Sequence, residues 1–308
     1  MSTPELKAWV NGRMSRARMI TDDHNVSANF GWKPFEGIRG YKTPEGTVIF
    51  RLEDHIERLL NSARLLNMPA KYDKETLMRA TCETVAVNGG GDIYIRPSIS
   101  YTERKSCPFS APQESTDTVI RVEPWNETMK EAAHIIISRF KRLNKEQTYP
   151  EAKFSGNYGP SQFATLEAKN RGADDAILLD LRGYVAEGCW ANIFCVKNNI
   201  LLTPKLGSIL PGITRMTLTT LARNLGYQVE ERDILLHELI SWSQEAFFCG
   251  TATEVQPIIS IEDEHRHTYV IGDGEPGQIT GKLKELYTRI VHAQVQAYLH
   301  WCTIVCIL

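Results

Sequence analysis

Apolar positions recur along the chain with two different periods. Across residues 53–66, Ile56, Leu59, Leu60, Ala63 and Leu66 return every three or four residues, which predicts a helix with one buried stripe. At roughly 100° per residue Arg58 falls well off that stripe, so periodicity reads it as a solvated side chain. A second helix is expected over 74–87, ended by Gly89-Gly90-Gly91, and a third over 161–171 after Pro160. Alternating or short apolar runs predict strands. Trp9-Val10 opens into an Asn11-Gly12 turn, and 35–41 and 48–51 flank Thr43-Pro44-Glu45-Gly46 as a hairpin. Further strands are expected at 93–97, 118–122, 133–138, 176–180, 193–196 and 200–203. Pro124-Trp125-Asn126 breaks the pattern and places a linker there. The expected layout is a smaller N-terminal α/β domain (1–124), an interdomain loop (125–132) and a larger C-terminal domain (133–308). Alternating strands and helices define an α/β or α+β body without internal repeats.

Composition narrows the class. A chain of 308 residues, 42% hydrophobic and 23% charged, is expected to be a soluble globular protein. A net charge of -2 gives no reason to expect nucleic acid or a membrane as partner, and small metabolites fit better. The cysteines at 82, 107, 189, 195, 249, 302 and 306 form no CxxC pair, and no secretory leader is read, so free thiols in the cytoplasm are expected. His265 and His267 sit in a polar stretch that reads as an exposed loop, and no metal is assigned. The apolar tail 302–308 is far shorter than the ~20 residues of a membrane span and is expected to pack or fray.

Candidate chemistry gathers in the middle of the chain. Lys153 lies in Ala152-Lys153-Phe154-Ser155-Gly156-Asn157-Tyr158, where small neighbours leave room for a flat ring. Such an amine forms a Schiff base with an aldehyde, provided its site lowers its pKa from about 10.4. Glu187, set in an expected turn, could keep a pyridine nitrogen protonated. The plainer reading of Lys153 is a solvated loop residue. Two stretches could cradle an anion. Leu210-Pro211-Gly212-Ile213-Thr214-Arg215 precedes a helix running to about Asn224, whose free amides favour a phosphate; the alternative is an ordinary Pro-Gly turn with Thr214 as N-cap. Gly250-Thr251-Ala252-Thr253, after the apolar Ala246-Phe247-Phe248, offers consecutive amides and a hydroxyl.

These pieces together resemble the class IV, fold type IV, pyridoxal-phosphate aminotransferases, closest to those of branched-chain amino acids. The matching segments are Phe35-Glu36-Gly37-Ile38-Arg39, Asp54-His55-Ile56-Glu57-Arg58-Leu59, Tyr94-Ile95-Arg96-Pro97, 153–158, Glu187-Gly188 with Asn192-Ile193-Phe194, 210–215 and 250–254, in the family's order. The resemblance implies a two-domain α/β (α+β) fold with the cofactor, pyridoxal 5'-phosphate, in the cleft between domains. It implies that Lys153 carries the cofactor and shuttles the proton, that Glu187 meets the pyridine nitrogen, and that Tyr158 meets the phenolic oxygen. Arg58, Leu210, Gly212, Ile213, Thr214 and Thr251 would hold the cofactor, chiefly its phosphate; this conflicts with the solvated reading of Arg58. Thr251 and Ala252 amides with Tyr94 would receive the α-carboxylate, and Arg96 the distal carboxylate of glutamate or 2-oxoglutarate.

The implied reaction is ping-pong transfer from branched-chain L-amino acids to 2-oxoglutarate, in a homodimer or higher homo-oligomer. The sequence departs from the pattern where Phe30 replaces a tyrosine, where Thr128 replaces another, and in the loop 102–112. Phe30, Phe35 and Trp125 are read as aromatic pocket walls that could accept bulkier groups. The competing functions are a same-fold transaminase for D-amino acids or (R)-primary amines, a lyase acting on 4-amino-4-deoxychorismate, and a non-catalytic globular protein.

Overall fold

The structure, a computed structural model, describes residues 6–16, 26–101, 116–127 and 130–306. The expectations at Thr128 and at 102–112 lie outside the described residues. The chain forms two compact units: 1–127 with 152–156 and 289–308, and 128–151 with 157–288.

In the first unit the strands are β1 (Lys7–Val10), β2 (Arg13–Arg16), β3 (Ile38–Thr43), β4 (Gly46–Phe50), β5 (Ile93–Tyr101), β6 (Thr116–Pro124) and, from the far end of the chain, β16 (Cys302–Val305). They make one seven-stranded sheet in the order β16-β4-β3-β5-β6-β1-β2. The long antiparallel β5–β6 pair runs from Ile93 opposite Pro124 to Tyr101 opposite Thr116, so Tyr94, Arg96 and Ser98 share one face with Glu123, Arg121 and Val119. Helices α2 (Leu52–Leu65) and α3 (Lys74–Val87) pack their apolar stripes on the other side chains of the sheet, with Ile56, Leu77 and Val85 against Ile38, Ile95 and Ile120. The short α1 (Val26–Phe30) precedes β3. Phe35, expected at the start of a strand, instead makes an isolated bridge with Ser98.

The expected 133–308 domain is corrected at two places. Phe154 and Ala152 are buried with Leu59, Ala63 and Ile99, which draws 152–156 into the first unit. Of the two outcomes expected for the tail, packing is what Cys302–Val305 shows: it pairs with β4, and Val305 enters the core beside Ile49. A fully buried side chain of that kind stabilises by roughly 1.5–3 kcal/mol, enough to recruit a distant segment.

The second unit holds a nine-stranded sheet: β7 (Ala133–Lys141), β8 (Asp175–Leu179), β9 (Val185–Gly188), β10 (Asn192–Lys197), β11 (Ile200–Pro204), β12 (Gln228–Arg232), β13 (Glu245–Gly250), β14 (Glu254–Glu262) and β15 (Thr268–Val270). The path is β12-β11-β10-β13-β14-β7-β8-β9, with β15 on β14. Its helices are α4 (Gly159–Asn170) and α5 (Ile213–Asn224), and α6 (Gln278–Val291) spans the residues where the chain leaves the unit. Phe248, Ile193, Ile135 and Ile177 sit in its core. Glu187 lies in β9, not in a turn, because Leu178 pairs opposite it.

Candidate functional site

In the first unit Lys153 is fixed at every backbone group that can be traced. Its N–H donates to Ser62 Oγ at 2.9 Å and its carbonyl accepts from Phe35 N–H at 3.1 Å. Ser155 N–H donates to the Lys33 carbonyl and Gly156 N–H to the Gly31 carbonyl. The solvated-loop reading therefore fails: this strip is bonded to 31–35 like a strand, and the Lys153 side chain is half-buried. Its Nζ lies 5.1 Å from the Phe35 ring centroid, and Arg96 Cζ lies 4.0 Å from the same centroid. Tyr94 packs against Trp125 at 5.5 Å. A Cβ at Gly37 would stand 1.8 Å from the Tyr94 hydroxyl, so glycine is what lets that hydroxyl lie against the backbone. Phe35, Tyr94, Arg96, Trp125 and Lys153 are thus gathered in one unit, while Phe30 ends α1 with 48% of its surface exposed.

Arg58 is not solvated. Its side chain is 10% exposed, and Nε and Nη2 donate to the two oxygens of fully buried Glu36 at 2.7 and 2.8 Å. His55 Nδ1 shares Glu36 Oε2 at 2.8 Å. Burial alone would raise the Glu36 pKa, but the charge and hydrogen bonds of Arg58, then those of His55, hold it well below the carboxylate range. Burial pushes the His55 pKa down, against the opposing pull of Glu36. The result is a cation aimed from α2 and locked by a buried acid.

In the second unit Glu187 is buried and met from several sides. Arg142 Nε lies 2.5 Å from Oε1, as an ion pair rather than an aligned hydrogen bond, while Arg142 Nη1 donates to the Asn157 carbonyl. Asn192 Nδ2 donates to Glu187 Oε2 at 2.9 Å and to the Leu210 carbonyl at 3.0 Å; Leu210 N–H also donates to Oε2 at 3.1 Å. Asn192 thereby ties the acid to the turn that starts α5. That helix has Gly212 as N-cap and no side-chain cap, so the amides of its first turn, from Ile213 and Thr214 on, are unsealed by the residue before them. The Thr214 N-cap alternative is ruled out: Thr214 is buried inside the first turn. A Cβ on Gly212 would lie 1.9 Å from Asn192 Oδ1, which makes glycine a condition of this packing. Tyr158 stands before α4 with its ring stacked on Trp190, 5.4 Å apart and 13° from parallel. Thr251 and Ala252 form the turn of the β13–β14 hairpin, closed by Gly250 opposite Glu254. His265 and His267 lie exposed, and no group of three or more metal-ligating residues occurs among the described residues.

Sequence reading missed Glu36, His55, Arg142 and Asn192 as site residues. The available signal was an acid or cation next to an otherwise apolar strand, as in Phe35-Glu36-Gly37-Ile38, which is costly to bury without a partner.

Residues 34–261 match the class IV amino-transferase family model. The chain belongs to that family. It is 35% identical over 305 residues to the branched-chain-amino-acid aminotransferase of Pseudomonas aeruginosa, covering 96% of each chain. Among solved structures it superposes on the branched-chain aminotransferase of Thermoproteus uzoniensis with norvaline, with TM-score 0.91, 37% identity and coverage of 98% and 99%. It also superposes on the branched-chain amino acid aminotransferase of Thermobaculum terrenum in its PLP-form, with TM-score 0.88, 33% identity and coverage of 98% of each chain.

Proposed function

We propose that the protein transfers the amino group of branched-chain L-amino acids to 2-oxoglutarate, using pyridoxal 5'-phosphate. The observation that carries this is Glu187: a buried carboxylate held by Arg142, Asn192 and the Leu210 amide, one turn away from the uncapped start of α5. A neutral ring with a basic nitrogen and a phosphate fits that chemistry, the nitrogen toward the acid and the phosphate toward the Ile213 and Thr214 amides, with Leu210, Gly212, Thr251 and Arg58 supporting it. When bound, this cofactor supplies the electron sink that stabilises negative charge at the substrate's α-carbon.

The chain's own residues do the rest. Lys153 Nζ would hold the cofactor through its carbonyl carbon, with loss of water, and, once released from it, would move the proton to and from the substrate's α-carbon. Glu187 would keep a proton at the ring nitrogen, and Tyr158 would donate to the phenolic oxygen. The Thr251 and Ala252 amides and the Tyr94 hydroxyl orient the α-carboxylate, while Phe35 and Trp125 wall the side-chain pocket. The family resemblance favours a homodimer in the cytoplasm; no helix among the described residues is long and apolar enough to cross a membrane.

The test is a donor panel on the cofactor-loaded protein. L-leucine, L-isoleucine and L-valine are expected to exceed D-alanine and (R)-1-phenylethylamine by at least about a hundredfold in kcat/KM. A lead by either of the latter would replace this substrate class, and pyruvate release from 4-amino-4-deoxychorismate without an amino acceptor would replace the reaction.

A further inference from the structure

In the second unit, Trp190 stands in the short turn that links β9 to β10, after Glu187 and before Asn192. Gly188 N–H donates to the Ala191 carbonyl at 2.7 Å and closes that turn, while the buried Cys189 Sγ donates weakly to the Ala176 carbonyl. A Cβ at Gly188 would come within 2.7 Å of the Phe248 ring, so the turn is seated directly on the core. The indole it presents is 52% exposed. A single exposed tryptophan is ordinary in a folded protein, but this one makes two directed contacts.

Its ring stacks on Tyr158, with centroids 5.4 Å apart and planes 13° from parallel, and its Nε1–H donates to Thr165 Oγ1 at 2.9 Å. Tyr158 heads α4 and Thr165 lies two turns along it, so both occupy one face of that helix. Thr165 Oγ1 gives its own proton to the Ser161 carbonyl, which leaves the oxygen as an acceptor for the indole. The backbone ahead of Tyr158 is fixed separately: the Asn157 carbonyl accepts from Arg142 Nη1, and the Asn157 side chain is bonded to Thr148 and Tyr149. With the backbone held, only rotation about the Cα–Cβ bond moves the Tyr158 hydroxyl, because turning the ring about its own axis leaves that oxygen in place. A parallel ring against one face blocks that rotation on its side.

We infer that Trp190 is a positioning residue: through the stack it holds the Tyr158 hydroxyl toward the cofactor's phenolic oxygen. The inference rests on the transaminase reading for the presence of that oxygen. Trp190 gives its one N–H to Thr165, so it acts through Tyr158 and not by a polar contact of its own. The turn that carries it also joins the strand of Glu187 to the strand of Asn192, whose side chains are bonded to each other. The acid for the ring nitrogen and the group that aims Tyr158 therefore share one support, and two polar positions of a flat ring are set from a single turn.

The test measures how fast pyridoxamine 5'-phosphate leaves the cofactor-loaded protein on dilution. That form of the cofactor has no covalent bond to the chain, so a hydrogen bond to its phenolic oxygen shows in the release rate. Trp190→Ala is expected to release it about three- to tenfold faster, the effect of one lost aromatic stack. Trp190→Leu keeps apolar bulk without a flat ring and should behave as the alanine variant does, whereas Trp190→Phe restores a ring and should return to within about twofold of the parent. Tyr158→Phe should also speed release, and Trp190→Ala added to it should speed it no further, because the two residues act in series. Rates within about twofold of the parent in both Trp190→Ala and Trp190→Leu overturn the inference. So does an equal speeding by Trp190→Ala in the Tyr158→Phe background, which would mean that the tryptophan acts on the fold at large. Should the alanine variant fail to fold, the contrast between leucine and phenylalanine decides, and equal rates in those two overturn the inference. A parent that takes up no cofactor defeats the proposed function and this inference with it; a loaded parent with unmoved variants defeats the inference alone.

Discussion

Glu187 is held by a cation, an amide side chain and a backbone amide, all from its own unit. Glu187→Gln keeps the shape and removes the charge, leaving Arg142 buried without its ion pair. Such a loss costs about 3–5 kcal/mol, to be read by urea unfolding. The same variant should lose on the order of 10²-fold or more in kcat, because the ring nitrogen loses its anionic partner. Glu36 and His55 set an acid limit. Both have folded pKa values below their unfolded ones, from 4.5 and 6.5, so the unfolded chain binds the extra protons. The stability they contribute is present at neutral pH; His55's share declines as pH falls below about 6.5, and Glu36's below about 4.5. In His55→Gln the first part of that decline should vanish while the second remains, as unfolding measured across pH would reveal. Lys153 and Glu187 stand out in the sequence as a lysine among small residues and an acid between apolar strand positions. Arg58 was misread by periodicity, since an angle on a helix wheel does not show that another strand brings an acid to meet it.

Helices α2 and α3 were legible nearly to the residue, because their apolar spacing is local information. The strip 152–156 and β16 were not, because what fixes them is distant: Phe154 packs beside Leu59 and Ile99, and Val305 pairs opposite Thr47. Truncation after residue 301 removes the partner of β4 and leaves its edge open. The truncated protein should lose at least roughly 1.5–3 kcal/mol, from Val305 burial alone, and should aggregate during refolding as an exposed strand edge does. Equal stability and clean refolding would show that β16 is an ornament of the sheet. Phe35 illustrates a finer limit: its alternation predicts a strand, yet it joins the sheet by a single bridge, where Lys153 bonds its amide.

At the scale of the molecule, the two units part between 127 and 128, close to the Pro124-Trp125-Asn126 break, while nothing in the sequence pattern signals the two later returns of the chain to the first unit. Contacts between residues a hundred positions apart leave no periodic trace. What the sequence did carry was the order of several short motifs, and that order pointed to the class IV family that the comparisons establish. The central claim is that Lys153 is the amine through which a branched-chain L-amino acid gives up its amino group. Its most direct measurement is a single half-reaction: the cofactor-loaded protein mixed with L-leucine and no acceptor, with the 2-oxo acid counted per chain. The account predicts one 4-methyl-2-oxopentanoate per chain from the parent and none from Lys153→Ala. Release of the oxo acid by the alanine variant at the parent's rate, or none from the parent, would contradict it.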